Sequence, residues 1–176
     1  MDREVTGAQT TDSRGGPAVQ KAREHSFEDY YRNHRDRMFR ALALTLGDVD
    51  LAADAADEAM VRTYQHWRKV RDYGNPTGWT YRVGLNWARS RLRKAKREQL
   101  GFVPETARLD PEGTDPVLVA KVAELPLPAR SVVVMRFYLQ WSHEEIAEAL
   151  EIPIGTVKSR IHRAVAELRD KIEVAE

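Results

Sequence analysis

The 176-residue chain contains no cysteine. It therefore forms no disulfide within itself, holds no metal through thiolates and carries no thiol redox sensor. It also has no apolar run long enough to span a bilayer, and its N-terminus lacks the hydrophobic core of a signal peptide. These absences predict a soluble protein of the cytoplasm with no membrane insertion.

An overall excess of charge is missing as well, because 28 Lys and Arg residues nearly balance 27 Asp and Glu residues and leave a net charge of +1. Composition alone therefore does not indicate a nucleic-acid-binding protein. The charges are nevertheless segregated along the chain. No basic residue occurs from Gly47 through Val61, and no acidic residue occurs from Gly74 through Arg97. Partner contacts are expected on such local patches.

Segments without periodic apolar residues divide the chain. Residues 1–24 are polar and are predicted to be a disordered N-terminal extension. Residues 98–116 contain three prolines and two glycines and are predicted to be a flexible linker. The remaining parts, 25–97 and 117–173, predict two small helical domains. The fold class is therefore all-α, and the only ambiguous strand signal is the run Val132–Val134.

The C-terminal module contains two predicted helices separated by a tight break. Ser142 and Glu145 have the spacing of a capping box, and Pro153 ends the first helix and suits the start of the next. One apolar stripe follows the second helix: Val157, Ile161, Ala164, Leu168 and Ile172. This arrangement predicts a helix-turn-helix that binds DNA. An ordinary helical hairpin with a solvated outer face is the alternative.

The outer face of that second helix carries side chains that suit DNA. Arginine can make paired hydrogen bonds to a guanine edge, while lysine, serine and threonine satisfy phosphates or base edges. The candidate residues are Thr156, Lys158, Ser159, Arg160, His162 and Arg163.

Two further helices are predicted before this motif. Asp115 is placed to cap a helix that starts at Pro116, and a second helix runs from Pro128 to about Leu139. Its buried residues are predicted to be Val132, Val133, Met135 and Phe137. The pair is expected to support the helix-turn-helix.

The N-terminal module begins with a helix that Ser26 caps and Gly47 ends. A second helix is predicted from about Asp50 to Lys69. Its buried stripe is mostly of small residues that let a neighbouring helix approach closely: Ala52, Ala55, Ala56, Ala59, Met60, Thr63, Tyr64 and Trp67.

The other faces of this second helix are acidic. A calcium loop at Asp48 is excluded, because Ala52 and Ala53 stand where a ligand and a glycine are needed. A solvated face near the helix N-terminus and a docking surface for a basic partner both remain open.

A third helix is predicted from Pro76 to about Arg97, with tryptophans and arginines interleaved. Aromatic rings and cations together suit single-stranded nucleic acid, in which bases stack on the rings and phosphates contact the cations. A core helix with a solvated basic end is the alternative reading.

Two stretches of the chain resemble one protein family. LPLPARSVVVMRFYLQWSHEEIAEALEIPIGTVKSRIHRAVAEL resembles the C-terminal promoter-binding domain of bacterial sigma factors through its LP, EIA, GTVKSR and RA elements. DLAADAADEAMVRTYQHW followed by NPTGWTYRVGLNWARSRLRK resembles the N-terminal domain of the same family. Their order and short linker are similar to the extracytoplasmic-function (ECF) group, and the resemblance covers about 27–172.

The resemblance implies roles for particular residues. The acidic second helix would dock on the largest subunits of core RNA polymerase through Asp54, Asp57, Glu58 and Arg62. The third helix would hold melted downstream promoter DNA, with Asn86 beside a flipped base and with the backbone held by Arg82, Arg89, Arg91 and Arg93. The outer face of the helix-turn-helix would read the upstream element as duplex DNA. An anti-sigma factor is a further partner that the resemblance implies.

Two other classes of function stay open from the sequence. A stand-alone helix-turn-helix regulator would bind a palindromic site without polymerase. An enzyme is not supported, because His143-Glu144 lacks the second histidine of a zinc-protease helix and no glycine-rich phosphate loop or nucleophile–base pair occurs. No catalytic residue, metal or cofactor is predicted.

Overall fold

The computed structural model describes residues 26–98 and 115–173. The described residues are helical and contain no strand, so the all-α prediction is confirmed and the ambiguous run Val132–Val134 is helical. The N-terminal module consists of α1 (Phe27–Leu46), α2 (Val49–Gln65), α3 (Trp67–Val70) and α4 (Pro76–Arg97). The C-terminal module consists of α5 (Pro116–Ala123), α6 (Leu127–Val133), a π-helical segment (Val134–Tyr138), α7 (His143–Leu150) and α8 (Ile154–Glu173). The predicted extension 1–24 and all but the ends of the predicted linker 98–116 lie outside the described residues.

The helix ends follow the predicted capping chemistry. The Ser26 hydroxyl accepts the Asp29 N–H, and Gly47 ends α1 in the left-handed conformation with φ 72°. Asp48, which the sequence analysis considered only as a calcium ligand, instead caps α2 by accepting the Leu51 N–H. Asp115 caps α5 by accepting the Val117 N–H. Each cap satisfies an amide that the helix itself leaves without an acceptor.

The second predicted helix is broken at His66. Its backbone turns there to φ −110° and ψ 13°, and the His66 ring nitrogen Nδ1 contacts the Arg62 carbonyl oxygen at 2.9 Å. The His66 N–H donates to the same carbonyl at 3.1 Å, so the ring and the backbone share one acceptor of the last α2 turn. Just before the break, Tyr64 is 65% exposed rather than buried, so its predicted place in the core stripe is wrong.

Close approach between helices builds the core of the N-terminal module. The stripe of four alanines on α2 is fully buried (Ala52, Ala55, Ala56 and Ala59). A Cβ at Gly84 of α4 would lie 3.0 Å from the Ala55 carbonyl oxygen, so α4 needs glycine where it crosses α2. Buried hydroxyl groups join the three long helices: Tyr30 Oη lies 2.7 Å from Thr80 Oγ1, which lies 2.9 Å from Thr63 Oγ1. Pairing satisfies these polar groups inside the core.

The C-terminal module differs from its prediction in one turn. The helix expected to run to Leu139 changes to π-helical geometry at Val134, and the Leu139 N–H bonds to the Val134 carbonyl. A π-helical turn holds more residues than an α-helical turn, so it changes which side chains face inward. Phe137 is 58% exposed, and its predicted burial is wrong. Ile172, predicted at the end of the buried stripe, is 39% exposed.

The two modules pack against each other through polar contacts to main-chain carbonyls. The Arg130 guanidinium of α6 donates to the Thr45 carbonyl of α1 at 3.1 Å. In the opposite direction, Arg37 of α1 donates to the Leu139 carbonyl at 3.0 Å. The rings of Tyr81 and Trp141 meet edge to face, with centroids 6.0 Å apart. One continuous hydrophobic core therefore includes buried residues of both modules.

Candidate nucleic-acid interface

The helix-turn-helix has the predicted local chemistry. Ser142 and Glu145 form the capping box, with the Ser142 hydroxyl accepting the Glu145 N–H at 3.1 Å and the Glu145 carboxylate accepting the Ser142 N–H at 2.7 Å. The turn after α7 is made by Glu151, whose backbone is left-handed with φ 53°. Ile146 and Val157 are fully buried, so α7 and α8 pack through the faces that the sequence pattern indicated.

The outer face of α8 lies opposite its buried stripe. Lys158, Ser159, His162 and Arg163 are exposed, whereas Thr156 and Arg160 are half-buried on the flanks of this face. The Arg163 Nε donates to the Ser159 carbonyl oxygen at 3.2 Å, which lays its guanidinium along the helix surface. Donors of this kind on an exposed helix suit the edges and phosphates of duplex DNA.

A second polar face runs along α4. Arg82, Asn86, Arg89 and Arg93 recur at helical spacing, and all are exposed except Arg82, which is half-buried. Arg91 lies on the opposite side of the helix, where its guanidinium stacks on the Trp87 ring at 5.3 Å from the centroid. The predicted group of five therefore separates into four residues on one face and Arg91 on another.

A small cavity of about 250 Å³ lies at the N-terminal end of α4. Tyr73, Asn75, Trp79 and Arg82 line one side of it. Asn75 caps α4, because its Oδ1 accepts the Gly78 N–H at 2.7 Å, while its buried Nδ2 has no hydrogen-bond partner. Asn75 was not among the residues predicted from the sequence, where the third helix was expected to start at Pro76. Asparagine immediately before a proline at a helix start was the available signal.

Helix α7 closes the other side of this cavity. The Glu151 carboxylate forms an ion pair with the Arg82 guanidinium, so one predicted DNA-backbone contact is occupied by an acidic side chain from the C-terminal module. No feature of the local sequence indicates this pairing, since the two residues are far apart along the chain.

The acidic face of α2 is partly neutralised. Asp57 accepts a hydrogen bond from Arg35 of α1 at 3.0 Å, and Glu58 pairs with Arg62 at 2.6 Å. The bond to Asp57 raises the pKa of Arg35, so this guanidinium stays charged. Asp54 is exposed on the same side of α2. The four predicted polymerase-binding residues therefore share one surface of mixed charge instead of a purely acidic one.

The part of the chain that the structure describes contains no group of three or more histidine and carboxylate side chains placed to hold a metal ion. Among the same residues, no helix is both long and apolar enough to cross a membrane.

Family comparisons agree on both modules. Residues 30–98 match the model of sigma-70 region 2, and residues 117–168 match the model of sigma-70 region 4. RNA polymerase sigma-E factor of Streptomyces coelicolor is 33% identical over 151 residues, which cover 83% of this chain and 85% of that protein. ECF RNA polymerase sigma factor SigW of Bacillus subtilis is 29% identical over 174 residues, covering 88% of this chain and 92% of that protein.

Two solved structures share the fold. The sigma factor RpoE of Bartonella quintana, crystallised with the anti-sigma factor NepR, matches with a TM-score of 0.75 at 19% identity over 85% of this chain and 98% of that one. CnrH, in complex with the cytosolic domain of CnrY, matches with a TM-score of 0.61 at 23% identity over 90% of this chain and 96% of that one. Together with the sequence relatives, these matches identify the chain as a member of the ECF group of the sigma-70 family, a promoter-specificity subunit of RNA polymerase.

Proposed function

We propose that each module of this sigma factor binds a different form of promoter DNA, with residues 117–173 reading the upstream element as intact duplex. The observation that carries the proposal is the exposed face of α8, where Lys158, Ser159, His162 and Arg163 lie opposite the buried stripe. Thr156 and Arg160 border that face and complete the contact set. Arginine and histidine at its centre can donate to base edges in the major groove, and the lysine can contact phosphate.

Residues 25–97 hold the downstream element after the strands separate. Arg82, Asn86, Arg89 and Arg93 form a continuous face on α4, along which a single strand can lie. The cavity beside Asn75 offers an amide and two aromatic rings next to this face, which suits an unstacked base. Arg91 contacts the backbone from the other side of the helix, where it stacks on Trp87.

Polymerase docking involves the face of α2 that contains Asp54, Asp57, Glu58 and Arg62. A surface of paired charges binds through directional contacts more than through bulk attraction, because Arg35 and Arg62 already offset two of its carboxylates. The linker at 98–116 joins the two DNA-binding modules on the polymerase. Joined binding raises the effective concentration of each contact, so neither module needs high affinity alone.

An anti-sigma factor is the regulatory partner of this proposal, and the cytoplasm is its compartment. An apolar groove of about 620 Å³ supports such a partner, since it is lined by residues of both modules. Leu44 of α1 lies beside Leu118, Val122, Phe137, Leu168 and Ile172 of the C-terminal module. An amphipathic helix in this groove would contact both modules at once. Catalysis has no part in the proposal, which assigns the chain to binding alone.

Reconstituted transcription tests the proposal. The chain is combined with core RNA polymerase on a library of randomised promoters, and the RNA products identify the sequences that are used. Arg163→Ala should alter preference only in the upstream element, and Asn86→Ala only in the downstream element. Arg68→Ala, at an exposed residue of α3 outside both faces, is the matched control. Failure of the chain to bind the core enzyme, or unchanged preferences in both variants, would refute the assignments.

A further inference from the structure

Helix α7 lies directly on the start of α4. The Glu151 carboxylate is paired with Arg82, and the Glu148 carboxylate lies so close to Gly74 that a Cβ there would be 3.3 Å from its Oε1. A Cβ at Gly78 would likewise lie 3.0 Å from the Cβ of Ala149. The first turn of α4 and Gly74 before it are therefore partly covered by the first helix of the helix-turn-helix.

The covered surface has the chemistry of a single-strand site. Tyr73 and Trp79 supply rings, Asn75 supplies an amide without a partner, and Arg82 supplies the cation. The cavity between them is bounded on its far side by Glu148 and Glu151. These two carboxylates are negatively charged, as nucleic-acid phosphates are. The Glu151 carboxylate pairs with the Arg82 guanidinium, which a phosphate would contact in a bound strand.

Glu151 also stands at an unfavourable backbone position. Its φ of 53° and ψ of 45° are left-handed, a conformation that glycine adopts without a steric cost and that other residues avoid. A strained backbone conformation persists where other contacts stabilise it, so the Glu151 side chain is expected to make such a contact. The ion pair with Arg82 is such a contact.

We propose that Glu148 and Glu151 form an acidic latch that competes with single-stranded promoter DNA for the start of α4. In the free chain the latch occupies this surface, while the outer face of α8 stays exposed to duplex DNA. Strand binding requires the helix-turn-helix to move off α4. This inference rests on the proposed role of α4 in holding the downstream strand.

Other contacts between the modules do not involve the latch. Arg37 and Arg130 still donate across the interface, and Tyr81 still packs on Trp141. Removing the latch should therefore let the helix-turn-helix move off α4 in part of the population, while these contacts keep the modules packed in the rest. One ion pair and one neighbouring carboxylate correspond to a gain in strand affinity of about threefold to tenfold.

Fluorescence anisotropy with a labelled, mixed-sequence single-stranded oligonucleotide measures this gain on the full chain without polymerase. The latch variant is Glu148→Gln with Glu151→Gln, and the control is Glu144→Gln with Asp170→Asn, which removes two exposed acids from the same module. The latch variant should bind about threefold to tenfold more tightly than the wild type and the control should not. Equal gains in both variants would mean that bulk charge is responsible and would overturn the proposal.

A distance measurement tests the movement itself. Because the chain has no cysteine, spin labels can be attached uniquely at Asp72→Cys and Ala166→Cys, two exposed positions on different modules. Double electron–electron resonance should give one narrow distance distribution for the wild type and an added longer component for the latch variant. Glu151→Gly, which also relieves the backbone strain, should give the same component in a more stable helix-turn-helix. Unchanged distributions in both would overturn the latch.

The latch and the role of α4 can fail separately. Arg89 lies on the strand-binding face but outside the latch, so Arg89→Ala should lower the oligonucleotide affinity of the latch variant. If the modules loosen but oligonucleotide affinity does not change, the competition is wrong. If, in addition, polymerase bound to the Arg89→Ala variant melts promoters normally, the assignment of α4 to strand binding is wrong.

Discussion

Replacing Arg130 with methionine should destabilise the protein by about 3 kcal/mol. The guanidinium donates to three main-chain carbonyls, those of Ala123, Leu125 and Thr45. Hydrogen bonds from a charged donor contribute about 1.5–3 kcal/mol each, and leaving a buried carbonyl without a donor costs about 1–3 kcal/mol. Part of this loss is recovered, because burial disfavours the charged form and lowers the pKa of Arg130. Methionine keeps the length and packing of the side chain without any donor.

Urea denaturation followed by circular dichroism measures the loss. Arg130→Lys keeps the charge but not the planar fork, so it should lose an intermediate amount. Arg68→Met at an exposed position of α3 should change the free energy of unfolding by less than about 0.5 kcal/mol. Since the Thr45 carbonyl belongs to the other module, Arg130→Met should also weaken the packing between modules. A loss below about 1 kcal/mol would show that water replaces the guanidinium, and the argument from unsatisfied carbonyls would be wrong.

Three further predictions concern the core and the DNA face. Gly84→Ala should destabilise the protein by about 1–2 kcal/mol despite better helix propensity, because the new Cβ meets the Ala55 carbonyl at 3.0 Å. A Cβ at Gly155 would meet no atom within 4 Å, so Gly155→Ala should not destabilise the protein. Equal denaturation midpoints for Gly84→Ala and Gly155→Ala would contradict the crowding argument. Burial raises the pKa of Tyr81, so stability should fall as pH rises above about 10, where the tyrosine of the unfolded chain ionises first. Tyr81→Phe should reduce this loss when denaturation is measured across that pH range. If the free energy of unfolding falls with pH equally in the variant and the wild type, the prediction is wrong. Arg163→Ala should weaken upstream binding by about 1–3 kcal/mol in a polymerase–promoter binding assay, whereas an equal loss on every sequence would identify a phosphate contact.

Local patterns predicted the capped helix starts well, but they predicted burial and the ends of two helices less well. Caps depend on a side chain and an amide three residues away, so Ser26 and Ser142 could be assigned from spacing alone. Burial depends on what lies opposite each face. Tyr64 continues the alanine stripe in sequence, yet it lies in the last turn of α2, where its ring meets Phe27 at the start of α1 and still stays 65% exposed. Phe137 is exposed because the π-helical turn changes its direction, and single-residue periodicity carries no signal for that turn.

The candidate site divides in the same way. The outer face of α8 was predicted correctly, because one buried stripe at helical spacing determines which residues point outward. Helical spacing also places Arg91 on the opposite face of α4 from the other arginines, although the family resemblance had grouped all of them together.

The sequence by itself determined the two helical modules, the helix-turn-helix and its outward face, since caps, prolines and apolar spacing act within a few residues. Tertiary structure alone decided that Glu151 meets Arg82, that Arg130 reaches the Thr45 carbonyl and that Arg35 neutralises Asp57. These pairs are separated by 22 or more residues. Only the packing of whole helices brings such residues together, because no local spacing specifies which charged side chain will face which carbonyl or carboxylate.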